Sequence, residues 1–171
     1  SQIPNVTDNA AWSNLTTGAW AHYGNDSANE SVYGKLYNWH AIAEPARLCP
    51  AGWHVPTDAE WTQLSEFLGG SSVAGGEMKA AGTQYWESPN TGATNESGFT
   101  ALPGGVRGND GSFSAKGALA FFWSSSEYSS GDAWMQMLYY DFSGLYRNFD
   151  YKSYGFSVRC LRDIDALTLS D

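Results

Sequence analysis

One stretch leaves almost no choice of local structure. In "WHVPTDAEWTQLSEFLGG", Thr57 is followed three residues later by Glu60, the spacing at which the two side chains cap each other's backbone amides at a helix start. Trp61, Leu64 and Leu68 then form an apolar stripe, and Gly69 supplies the stop. Past Gly70 the chain turns to Gly, Ser, Asn and Thr with short aromatic runs, which predicts turns and brief strands in place of helices. A fold built on this chain therefore has its helices early and its strands late.

Upstream, "VYGKLYNWHAIAE" sets Leu36, Trp39, Ile42 and Ala43 at helical spacing before Pro45, predicting a first helix over Val32 to Glu44. Downstream, "GFTALPGG" and "FFWSSSE" read as short strands. In "YGFSVRCLRD", Phe156, Val158 and Cys160 alternate with Ser157 and Arg159, predicting a strand with one face in the core. The fold class is α+β. A chain of 171 residues fits a single domain, here 1–171 with its core at about 12–163, and 164–171 reads as a tail, final strand or linker.

Charge and composition narrow the function. A net charge of −9 with only 9 Lys and Arg leaves no basic patch for a phosphate backbone, so no nucleic-acid partner is expected. No apolar run approaches a membrane span, and Ser1 is not followed by a charged start and an apolar stretch, so a trimmed, mature segment is expected. Cys49 and Cys160 are either bridged, if the protein is exported, or two unrelated buried thiols in a reduced compartment.

Candidate chemistry is sparse. His22, His40 and His54 lie at no metal-ligand spacing, and no serine stands in a Gly-x-Ser-x-Gly setting. The loops holding Asp26, Glu30 and Asp110 are oxygen-rich but lack calcium-loop spacing, so no cofactor is expected, with structural calcium the one considered. The remaining signal is "MQMLYYDFSGLYRNFDY". Met135, Met137, Tyr139, Asp141, Phe142, Tyr146, Phe149, Asp150, Tyr151 and, just beyond, Tyr154 have the composition of a binding surface. Aromatics supply contact area at low entropy cost, and Ser, Gly and Asn supply adaptable hydrogen bonds. Trp134, Leu138, Tyr140 and Leu145 are expected to face inward.

"WSNLTTGAW", "YGKLYNWHAI", "LCPAGWHVPTDAEWTQL", "ATNESGFTALPGGVR", "FWSSSEY" and "KSYGFSVRC" together resemble the Fibrobacter succinogenes major paralogous domain, a bacterial surface module. The resemblance implies a C-type-lectin-like fold of the formylglycine-generating-enzyme branch, with two helices, a mixed sheet and a long loop-rich insertion. It implies that Cys49 and Cys160 pair. It also implies secretion or cell-surface attachment, as a lipoprotein or part of a larger surface protein. The enzyme of that branch uses a reactive cysteine pair before the final strand, and Trp123 to Tyr154 holds no cysteine, so no enzyme is expected. In relatives diversified by retroelements, adenine codons in this interval are randomised and cannot yield Met, Gln, Trp, Lys or Glu. None of these occurs from Leu138 through Tyr151. The expected function is non-catalytic recognition of a protein or glycan on another surface, the alternative being an architectural module of a larger adhesin or filament.

Overall fold

The computed structural model describes residues 3–43 and 48–164. In chain order the elements are α1 (Asn9–Ser13), β1 (Trp20–Ala21), α2 (Glu30–Tyr33), β2 (Leu36–Tyr37), α3 (His40–Ala43), β3 (Trp53–His54), α4 (Asp58–Phe67) and α5 (Ala74–Met78), then β4 (Val106–Arg107), β5 (Phe113–Ser114), β6 (Leu119–Glu127), β7 (Asp132–Tyr139), β8 (Tyr146–Tyr151) and β9 (Leu161–Arg162). The class is α+β. Among the described residues the strands form no single mixed sheet: β6, β7 and β8 make an antiparallel meander, β1–β2, β3–β9 and β4–β5 are separate two-stranded pairs, and parallel pairing occurs only as isolated bridges such as Phe122 with Ser157.

The helix α4 begins as its sequence dictates. Thr57 accepts from the Glu60 amide at 3.2 Å and the Glu60 carboxylate accepts from the Thr57 amide at 2.8 Å. The helix predicted over Val32 to Glu44 is instead three pieces. Gly34, at φ 70° and ψ −142°, ends α2 in a conformation other residues avoid. Leu36 and Tyr37 then extend to pair with β1, and a single turn, α3, follows. Of the residues at that spacing, Leu36 and Trp39 are buried and Ile42 is half-buried, while Ala43 is exposed, and a strand and a turn place them. Pro45, the expected stop, and the tail residues 165–171 lie outside the described residues.

Three further expectations are corrected. A helix, α5, follows Gly70 after all: Gly75 and Gly76 serve close approach there, and a Cβ on Gly75 would sit 2.0 Å from the Gly144 carbonyl oxygen. "GFTALPGG" makes only isolated bridges, Ala101 with Lys79 and Gly105 with Ala120. The segment after Tyr154 likewise runs through isolated bridges until β9, and Arg159 turns inward to donate to the Phe99 carbonyl at 2.8 Å.

Two packed clusters flank the meander. On one side Trp61, Met78, Trp86, Phe122, Leu138 and Leu145 pack beneath α4 and α5. On the other, Trp39, Phe121, Trp123, Met135 and Phe156 pack together. The indole N–H groups of Trp12, Trp20, Trp39, Trp86 and Trp123 each donate to a backbone carbonyl of a distant segment, so these rings fill the core and fix loops at once. Lys79 is fully buried and donates to the carbonyls of Thr91, Tyr139 and Phe142 at 2.8–2.9 Å, tying the β7–β8 connection to the helical layer. Burial pulls its ammonium down to about 8, against the charge of Asp141.

Cys49 and Cys160 form a disulfide, which closes the chain beside the β3–β9 pair. There His54 bonds Asp163 through Nδ1 at 2.6 Å and Glu60 through Nε2 at 3.0 Å. The Asp163 bond, with the Glu60 contact adding to it against partial burial, raises the imidazole above its usual value. A raised folded-state value means this clamp stabilises fully below the unfolded value of about 6.5 and is lost as pH rises through the folded one. The unfolding midpoint is therefore expected to fall over the range just above pH ~6.5, and His54→Ala should flatten that slope; an unchanged slope in the variant would refute the assignment.

Candidate functional site

The meander decides which aromatics reach the surface. Successive residues of a strand point to opposite faces. Along β7, Ala133 and Met135 turn to the Trp123 cluster, while Gln136 and Leu138 turn toward α4. Strand β8 pairs with β7 alone, in register Trp134 with Phe149, Gln136 with Arg147 and Met137 with Tyr146, and is exposed at every position except Asp150.

The residues singled out from the sequence divide accordingly. Met135 is 1% exposed and belongs to the core, which corrects the expectation of a surface methionine there. Met137 is half-buried against the same cluster. Tyr139, Phe142 and Tyr146 come together: the Phe142 and Tyr146 rings stack at 4.9 Å, and Tyr139 meets Tyr146 edge-on at 5.1 Å. Asp141 lies exposed in the adjoining turn. Tyr151 faces Tyr154 at 6.2 Å, and Tyr154 in turn packs on the buried Phe156. Asp150 is half-buried, and loss of solvent raises its carboxyl although it accepts from the Tyr151 amide.

Phe149 belongs to a group that sequence reasoning missed. It stacks on Tyr128 with centroids 3.8 Å apart and meets Trp134 edge-on at 5.7 Å. Trp134, expected inside, is half-buried at the surface, with the Arg147 guanidinium 3.4 Å above its ring. Asp58, in the first turn of α4, holds that guanidinium through Nε at 2.8 Å and Nη2 at 2.7 Å, and this hydrogen-bonded pairing raises Arg147 further. The alternation of Trp134 against Met135 was the available signal; the roles of Tyr128 and Asp58 depend on tertiary placement. With Tyr128 half-exposed and Phe149 39% exposed, the result is a fixed aromatic face with a charged, already paired rim.

The edge of β8 is blunted. The Phe149 amide donates to Asn148 Oδ1 and the Tyr151 amide to Asp150 Oδ1, both at 2.9 Å, so these donors are occupied by the strand's own side chains. Contact with a partner would run through side-chain faces rather than strand addition.

The acidic loops are spoken for locally. Asp26 caps a turn through the Ala28 amide, Glu30 bonds His22 at 3.0 Å and Lys35 at 3.1 Å, and Asp110 accepts from Ser112. Among the described residues no helix is long and apolar enough to cross a membrane.

Fold and site together define a disulfide-linked α+β domain with an ordered aromatic face on an edge strand. The chain belongs to the Fibrobacter succinogenes major domain family, whose profile matches residues 1–162. No curated protein and no solved structure matches it.

Proposed function

We propose that this is a non-catalytic, extracellular recognition domain of C-type-lectin type that holds a protein on another surface against its β7–β8 aromatic face. The observation that carries this is the stacked Tyr128–Phe149 pair, held open to solvent beside Trp134 and Arg147. Exposed aromatics that are locked in place before binding lose little entropy on contact, which is how paratopes gain affinity. The disulfide fits a secreted or surface-attached protein. Retroelement diversification is part of the same reading, since Tyr146 to Tyr151 combines exposure with residues that randomised adenine codons reach.

The test uses a panel of purified extracellular proteins and surface plasmon resonance. At least one is expected to bind, and Phe149→Ser should weaken it at least tenfold, as removal of a central aromatic anchor does, with the unfolding midpoint unchanged. Equal binding by the variant, or no binding by any member of the panel, would favour the architectural alternative.

A further inference from the structure

Beside the aromatic face, α4 and the β7–β8 pair do not close on one another. Between them lies a cleft of about 440 Å³, within the range of small-molecule sites. Helix and sheet normally meet through apolar side chains packed without voids. Here the helix offers Thr62, Ser65 and Glu66 to the opening, and the strands offer Gln136, Tyr146 and Arg147. Gln136 is the telling residue. It is 2% exposed and lines the cleft, yet its amide makes no hydrogen bond among the described residues. Its amide atoms are not sealed from solvent, so water or a ligand in the cleft is left to satisfy them. Trp61, in the same wall, goes further: its indole N–H is sealed from solvent and has no partner, unlike the core tryptophans that each hold a carbonyl.

We propose that this cleft binds one or two rings of a neutral saccharide. The chemistry of the walls selects that class. An apolar ligand would leave the Gln136 amide unsatisfied. An anion would meet Glu66 and a chain of net charge −9, and the Arg147 charge is already matched by Asp58. A polyhydroxylated, uncharged ligand donates and accepts at once, as an amide, two hydroxyls and a carboxylate require. The site is distinct from the Tyr128–Phe149 pair and stands without a protein partner on that face.

The experiment is a ¹H–¹⁵N NMR titration with neutral disaccharides of glucose, galactose, mannose, xylose and N-acetylglucosamine, following the Gln136 side-chain amide and the Trp61 indole N–H. At least one disaccharide is expected to shift both signals saturably. Gln136→Leu, which keeps the shape and removes the amide, should weaken it at least tenfold, with the Trp12 and Trp86 indole signals unmoved as a check on folding. Glu66→Gln, on the exposed side, should weaken it several-fold. Phe149→Ser should leave saccharide binding intact, so this inference and the protein-recognition reading fail separately. Silence from every disaccharide at millimolar concentration would overturn the proposal. So would binding that Gln136→Leu leaves unchanged, or shifts given by acetyl-triglycine amide while the sugars give none.

Discussion

Replacing Arg107 by Met is expected to cost about 4 kcal/mol of stability, a large share of the roughly 5–15 kcal/mol that holds a domain of this size. Arg107 is completely buried on β4. Its guanidinium donates to the carbonyls of Gly111, Val6, Thr7 and Asp8 and to Asn9 Oδ1, and it lies between the Trp12 ring at 4.3 Å and the Phe113 ring at 4.8 Å. Burial lowers it to about 10, opposed by Asp8, so the charge is costly where it stands and is kept by its acceptors. Met fills similar volume and removes every donor, leaving several carbonyls unpaired at about 1–3 kcal/mol for each that water fails to reach. Lys would not restore them, because one ammonium cannot reproduce the planar fork. Urea unfolding measures the loss; a change below about 1 kcal/mol would show that the N-terminal segment holds without this anchor. Hydrogen exchange should then locate early opening at Val6 to Trp12.

Arg107 also marks the boundary of what the sequence reveals. The start of α4 was readable because its determinants, Thr57 and Glu60, lie within one turn and need no other part of the chain. The helix α5 was not, because its glycines look like a loop until Gly144 and Ser143 are packed against them. Nothing in "GGVRGND" or "EMKAAG" announces that Arg107 and Lys79 are buried polar anchors of the domain, since most of their acceptors lie far along the chain. Length is the other limit. Strands of two residues, such as β1 and β2, are too short for a period of two to show. The candidate site splits in the same way. Composition between Met135 and Tyr151 led to the expectation of a contact surface, but composition is blind to register, and register alone sends Met135 inward and brings Trp134 outward beside Phe149. Tyr128 joins them from across the β6–β7 turn, where no feature of the 135–154 stretch points to it.

Replacing both Cys49 and Cys160 by Ser is expected to cost about 4 kcal/mol, because the bridge closes a span of 111 residues and most of its effect is to limit the unfolded chain. The structure says where that loss is felt first. Strand β9 is two residues long, its side chains are exposed, and its ladder to β3 consists of Trp53 with Arg162 and His54 with Leu161. The Asp163 amide bonds the Gly52 carbonyl at 2.8 Å, and His54 bonds the Asp163 carboxylate. Such a contact buries little apolar surface and would fray if the bridge did not hold it in register. The β6–β7–β8 meander is held by its own ladders, by both core clusters and by Lys79, none of which includes a cysteine. Hydrogen exchange on the double variant should therefore show the Leu161 and Asp163 amides opening ahead of global unfolding, while amides of β7 exchange only with the global transition. The Tyr128–Phe149 stack should survive in the folded fraction. Equal loss of protection in β7 and β9 would show the bridge to be part of the central core, and the His54 clamp would then lose its pH dependence together with the whole domain.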